Sequence, residues 1–412
     1  MKFELGRWQF FGLFAALAIS FCARAAAAQT GLTVLAEPPP QYTFGEALAF
    51  QISAQSAANI SAVTLFYRAS GDTRTIADAV ELTPGLIITA IHPVNLAERS
   101  LTPFTTVEYW WELRDTAGGQ LLTAPQTFYY EDNRFAWQTL TQDLVTVHWY
   151  KGDTEFGQIA LDLASHALTR ANAEIRAPLP PEINIYIYGD DEDIRAVLAT
   201  IGKAWVSGHA DPALGVVMVA ARPGLEATTQ LERDIPHELT HLLVFNAVGG
   251  EAGYARVPTW LNEGLAVVQQ SQPDPDNPAL IQEMSAQGQL LNLKSLCGPF
   301  PADRLQAQLA YAQSESLVRF IREQFGSQRL AAMLAAYADG ASCESGVQRG
   351  LGLSFDALET RWLTEVVKAD DGAIRAEVLW PWVALIGLLL LSLLIFLALI
   401  LRRPARSRPA KG

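Results

Sequence analysis

Between residues 31 and 131 apolar and polar positions alternate with a period of two, broken by turn-forming residues. That period places every second side chain on one face of an extended chain. The runs Leu32–Ala36, Ala47–Ala54, Ala62–Tyr67, Leu86–Ile91, Val107–Leu113 and Leu121–Tyr130 therefore predict strands, with Gly118-Gly119 as a hairpin turn before the last. Short strands at this spacing predict two packed sheets. Near Asn133 the period changes. Val145–Trp149, Ile183–Tyr188 and Gly215–Ala220 predict strands, the last buried or at an edge. Phe156–Ile175, with Ile159, Leu161, Ala164, Leu168 and Ala171 on one side, and Glu192–Ile201 predict helices. From about residue 228 to 369 the pattern is helical almost throughout. A strand-rich lobe followed by a helical one predicts an α+β domain.

Two segments have no alternation. Phe10 to Phe21 is apolar, follows Lys2 and Arg7, and precedes Ala26-Ala27-Ala28. This predicts a signal peptide over residues 1–28, with an uncleaved anchor as the alternative. Cys22 would leave with it, and the bulky Phe21 argues against lipid attachment there. Val378–Leu401 contains no charged residue and is long enough for a helix to cross about 30 Å of hydrocarbon. Trp380 and Trp382 suit the interface, and Arg402, Arg403, Arg406, Arg408 and Lys411 form a tail that stays cytoplasmic. The expected location is a single-pass position in the cell membrane, with an extracytoplasmic body and a cytoplasmic tail.

Composition narrows the chemistry. Across 412 residues, 50% are hydrophobic and 18% charged, which is enough apolar surface to bury real cores. The formal charge is −13 and the pI near 5.0, so nucleic acid is excluded as the main partner. Both termini are cationic, so the body between them is more acidic still. Three cysteines exclude a disulfide-dense scaffold. Cys297 and Cys343 are expected to pair in an oxidising compartment, two free thiols being the alternative.

The segment Asp234-Ile235-Pro236-His237-Glu238-Leu239-Thr240-His241 carries chemistry. His237 and His241 are spaced i and i+4, so a helix stacks both imidazoles on one face, where they could hold one zinc ion. Glu238 lies a quarter turn away, within reach of a water on that ion. Two partly buried, hydrogen-bonded histidines would be the purely structural reading. Further along, Val257-Pro-Thr-Trp-Leu-Asn-Glu263-Gly-Leu-Ala places Glu263 22 residues after His241, a candidate third ligand that leaves a fourth position for water.

Trp260-Leu-Asn-Glu-Gly-Leu-Ala resembles the second zinc motif of gluzincin aminopeptidases, and His-Glu-Leu-Thr-His the form found in thermolysin-like enzymes. Residues 134–370 thus look like the peptidase MA-like family of gluzincin metallopeptidases. The resemblance implies that His237, His241 and Glu263 ligate one zinc ion and that Glu238 is the general base. It also implies a tyrosine donor to the oxyanion, for which Tyr311, opening a helix over Ser314 to Phe325, is the candidate. A packing role for Tyr311 remains open, with His209 and Tyr254 as weaker donors. The chain departs from the pattern in three ways. Val267 stands four residues after Glu263, where thermolysin-like enzymes carry an acid, so a partner that orients a histidine must come from elsewhere. The string Gly215-Val-Val-Met-Val-Ala lacks the glutamate with which the aminopeptidases grip a substrate amino terminus, though it could pair with an extended peptide. Pro236 precedes His237, so the metal helix should start near Asp234 or kink there.

The expected architecture is multidomain. A signal peptide (1–28) precedes an all-β immunoglobulin- or fibronectin-like sandwich (29–133) and an α+β gluzincin-like zinc peptidase domain (134–370). A linker (371–377), a transmembrane helix (378–401) and a basic tail (402–412) follow. The expected function is a membrane-anchored, extracytoplasmic zinc metallopeptidase acting on peptides or proteins. The alternative is a catalytically silent surface protein on the same fold that holds a partner through its sandwich.

Overall fold

The computed structural model describes residues 31–368 apart from 201, 203–207 and 273, together with 382, 384–392 and 394–395. The predicted signal peptide and tail lie outside the described residues, and so does part of the predicted span 378–401. Among the described residues no helix is long and apolar enough to cross a membrane. The chain divides into two compact units. Among the described residues, one comprises 31–42, 47–95 and 106–128, and the other 43–46, 96–105 and those from 129 onward.

The first unit is β-rich. Its elements are β1 (Thr33–Ala36), β2 (Gln41–Thr43), β3 (Ala47–Ala69), β4 (Ile76–Ala79), β5 (Gly85–Asn95), β6 (Thr105–Asp115), β7 (Gln120–Leu122) and β8 (Gln126–Tyr130). They hydrogen-bond as one eight-stranded network with β3 as its spine, not as two separate sheets. The predicted strands Ala47–Ala54 and Ala62–Tyr67 are one strand. Its first half pairs with β1 and β5, its second with β4 and β6. Leu48, Phe50, Ile52 and Ala54 are buried in the first half and Val63, Leu65, Tyr67 and Ala69 in the second, so the buried phase moves from even to odd numbers. The register shift against β6 between Ile60 and Ala62 explains this, because one extra residue turns every later side chain to the other face. Leu121–Tyr130 is broken into β7 and β8 at Pro125, which has no N–H for a ladder. The Gly118-Gly119 turn is present. Gly118 has φ 86°, and the Gly119 N–H donates to Asp115 Oδ1 at 2.7 Å.

The second unit is α+β. It opens with β9 (Gln138–Gln142), β10 (Val145–Trp149), α1 (Thr154–Ile175), β11 (Ile183–Tyr188), α2 (Asp191–Thr200), β12 (Gly208–Asp211) and β13 (Val216–Ala220). The sheet order is β12-β13-β11-β10-β9. The inner strands β10, β11 and β13 are parallel, and each edge strand is antiparallel to its neighbour. The predicted strand Gly215–Ala220 is therefore an inner strand; among the described residues the edge belongs to β12, which the sequence did not announce. Val145, Val147, Trp149, Ile183, Ile185, Ile187, Val217 and Val219 form an apolar face beneath α1 and α3. Gly157 permits this packing. A Cβ there would meet the Trp149 ring at 2.4 Å.

Helices follow: α3 (Ala227–Ala247), α4 (Glu251–Tyr254), α5 (Thr259–Gln269), α6 (Asn277–Ala286), α7 (Arg304–Phe325), α8 (Ser327–Ala338), α9 (Cys343–Leu351) and α10 (Phe355–Trp362). A 3-10 turn at Leu293–Cys297 lies between α6 and α7 and is joined to the start of α9 by the disulfide Cys297–Cys343. The pairing expected from the sequence is present.

Candidate metal centre

Helix α3 runs from Ala227 through to Ala247, so Pro236 lies in its interior and not in its first turn. A proline there has no N–H to give the carbonyl four residues earlier. That carbonyl, Glu232 O, instead accepts the N–H of Ser271 at 3.2 Å, from the chain just after α5. The helix continues beyond the break. The Thr240 hydroxyl donates to Pro236 O at 2.7 Å. His237 and His241 therefore keep their helical spacing, with ring centroids 5.0 Å apart.

Helix α5 crosses α3 and brings Glu263 to the pair. Glu263 Oε2 lies 3.4 Å from His237 Nε2 and 3.8 Å from His241 Nε2. One ligand atom from each of the three residues lies within 4.8 Å of the others. Gly264 sets how closely α5 can approach α7, since a Cβ there would meet Ser314 O at 2.5 Å. Behind the imidazoles stand side-chain amides. His241 Nδ1 is 3.1 Å from Asn262 Oδ1, and the Asn262 amide donates to the Tyr254 hydroxyl at 3.0 Å. His237 Nδ1 is 3.1 Å from the Gln270 amide nitrogen. Both Nδ1 atoms are thus engaged from behind, and both Nε2 atoms face Glu263. Two imidazole nitrogens and one carboxylate oxygen converging in this way fit a divalent ion such as zinc.

The charges fit as well. Burial works against the Glu263 carboxylate, but His241 and His237 hold its pKa below the ordinary carboxylate value. Burial likewise works against a charged His237, yet its hydrogen bond to Glu263 and the charges of Glu238, Glu263 and Asp234 raise its pKa above the ordinary imidazole value.

Glu238 is buried, 8% exposed, and its carboxylate lies against β12. A Cβ on Gly208 would come within 2.7 Å of Glu238 Oε1. Gly208 pairs with Val219 and His209 with Met218, so alternation turns His209 to the sheet face opposite Gly208 and Glu238. Tyr311 lies in α7, not before it, because Asp303 caps that helix earlier than the sequence pattern suggests. It is 37% exposed and packs edge-on against Phe300. Burial raises the pKa of its phenol, and the charges of Glu263 and Glu238 raise it further. Tyr254 feels the same two carboxylates, but its hydroxyl is already engaged by Asn262. The sequence reading missed Gly208, Gln270 and the orienting role of Asn262. Only the asparagine stood within a recognised motif.

Comparison with known proteins adds the lineage. The family model of the Peptidase MA superfamily matches residues 163–368. No curated protein matches the chain. Among solved structures, an M1 zinc metallopeptidase from Deinococcus radiodurans is 14% identical, with 79% of this chain and 91% of that one covered and a TM-score of 0.36. An aminopeptidase N family protein from Idiomarina loihiensis is 8% identical, covering 79% and 76%, with a TM-score of 0.37. A family 56 carbohydrate-binding module, a β-1,3-glucan binding domain, is 13% identical, with 24% of this chain and 96% of that one covered and a TM-score of 0.16. Those scores describe distant likenesses, and the assignment rests on the sequence match, which takes in the helices that bear His237, His241 and Glu263 and half of the chain: the protein belongs to the Peptidase MA superfamily.

Proposed function

We propose that this protein is a zinc metallopeptidase that hydrolyses peptide bonds, held at the outer side of a membrane by residues 378–401. The observation that carries the reading is the convergence of His237, His241 and Glu263 on one point, with a buried carboxylate, Glu238, beside an edge strand. His237 and His241 would hold the ion through Nε2 and Glu263 through its carboxylate. Bound there, zinc would polarise a scissile carbonyl and make a water easier to deprotonate.

The remaining work falls to the protein. Among the described residues β12 stands last in the sheet order, and its Gly208 lies against the Glu238 carboxylate. The missing side chain of Gly208 leaves room for that carboxylate, which a Cβ would meet at 2.7 Å. Glu238 takes the proton of the attacking water and passes it to the leaving amine. Tyr311, its pKa raised by burial and further by the charges of Glu263 and Glu238, keeps its proton and can donate to the developing oxyanion. The uncharged run Val378–Leu401 and its basic flank support a single-pass anchor, and the apolar run Phe10 to Phe21 supports export.

The test is cleavage of a mixed peptide library by the purified protein, with and without a chelator. Chelator-sensitive turnover is expected, and Glu238→Gln should retain zinc while losing hydrolysis by orders of magnitude. A Glu238→Gln protein that still cleaves peptides would refute the assignment of the base. A zinc-loaded wild-type protein with no turnover would favour the silent binding protein.

A further inference from the structure

The position four residues after Glu263, where thermolysin-like enzymes place an acid, is held by Val267, which is only 6% exposed and belongs to the core. No carboxylate can reach His237 from there. The structure offers a different support, built from the end of α5. Gln270 caps that helix in an extended conformation (φ −57°, ψ 141°), and its side-chain amide meets His237 Nδ1 at 3.1 Å. The residues on either side are tied down. The Gln269 amide donates to Glu174 at 2.7 Å, and the Arg170 guanidinium donates to the Gln269 backbone oxygen. On the other side, Ser271 N–H donates to the Glu232 carbonyl, and the Gln272 amide donates to the Glu232 carboxylate at 3.1 Å. The Glu232 carbonyl is open only because Pro236 lacks an N–H. Two oddities of the sequence, the proline before the first histidine and the valine in place of an acid, thus meet in one arrangement.

We propose that Gln270 is the positioning residue for His237: its amide oxygen accepts Nδ1–H and aims Nε2 at the metal, and Pro236 holds it there by freeing Glu232 O for Ser271. This rests on the zinc reading of the site. An imidazole that binds a metal through Nε2 carries its proton on Nδ1, so the Gln270 amide turns over to present oxygen in place of nitrogen. The carboxylates of Glu238, Glu263 and Asp234 already act on His237. A neutral amide orients the ring without adding another negative charge.

The experiment measures zinc affinity by chelator competition and zinc release rate in the full-length protein, with thermal unfolding of the metal-free form in parallel. Gln270→Met keeps most of the volume and loses the acceptor; it should weaken zinc binding about tenfold and speed release. Gln270→Glu keeps an acceptor and should bind at least as tightly as wild type. Pro236→Ala restores a helical donor to Glu232 O. It should weaken zinc binding while the metal-free protein unfolds at the same or a higher temperature, an opposition that mere packing damage does not produce. Cobalt-loaded Gln270→Met should show shifted visible bands. Wild-type zinc affinity and release in either Gln270→Met or Pro236→Ala would overturn the proposal while leaving the zinc reading intact. If Gln270→Met also destabilises the metal-free protein, Gln270→Glu decides: recovered affinity supports the role, and affinity as low as the methionine variant's overturns it. Failure of the wild-type protein to bind zinc overturns both readings.

Discussion

Two residues on one helix and a third from another element form the candidate metal site, and the pH should show it. His237 must be neutral to bind a metal, yet Glu263 and its neighbours raise its pKa in the metal-free protein. The sign follows. With a folded pKa above the unfolded value, the charged imidazole stabilises the metal-free fold below the ordinary imidazole range, and that contribution is lost as pH rises through the raised pKa. Protons therefore compete with zinc up to a higher pH than usual. The zinc-induced rise in unfolding temperature should be larger at about pH 8 than at about pH 6, as differential scanning fluorimetry can measure. Tyr311→Phe should lower kcat by about a hundredfold or more, with zinc content and KM little changed; an unaltered kcat would return Tyr311 to a packing role. Gly208→Val should also lower kcat, because its side chain would displace the Glu238 carboxylate. The two candidate histidine ligands were legible because i,i+4 spacing is a property of any helix. Gln270 was not, since its contact depends on where the chain turns after α5, and Gly208 has no side chain for a pattern to register.

At the scale of elements, crossing helices fix the distances. Gly264→Ala should push α5 away from α7 at Ser314, where the backbone leaves no room. Overpacking of this kind costs about 1–3 kcal/mol and should carry Glu263 with it, so weaker zinc binding should accompany a lower unfolding temperature. The Cys297–Cys343 bridge closes a sequence separation of 46 residues that contains α7 and Tyr311. Replacing both cysteines by serine should cost up to about 4 kcal/mol by loop-closure entropy, measured by denaturant unfolding under oxidising conditions. The long amphipathic elements were plain in the sequence, α1 within two residues and β10 and β11 at both ends. Two features were hidden. The segment 55–62 reads as a break between strands because the buried phase flips there, yet the bulge keeps the chain extended. The strand Gly208-His-Ala-Asp is too short and too polar to alternate visibly, and its pairing with β13 supplies what its own side chains do not.

For the whole molecule, the sequence divides roles along the chain more sharply than it ranks their partners. The uncharged run Val378–Leu401 and the basic flank after it predict that the full-length protein will partition with membranes, resist alkaline carbonate extraction, and expose its body to added protease from the outer side. Recovery of the intact chain in the soluble fraction would remove the anchor from the proposal. The edge strand carries a consequence for targets. Under the proposed function, a polypeptide that reaches Glu238 beside Gly208 must first surrender the hydrogen bonds of its own folded backbone. Tightly folded neighbours would be spared, while tails, long loops and molecules whose folding has failed would be cut. Susceptibility would then follow how often a target opens more closely than which side chains it offers.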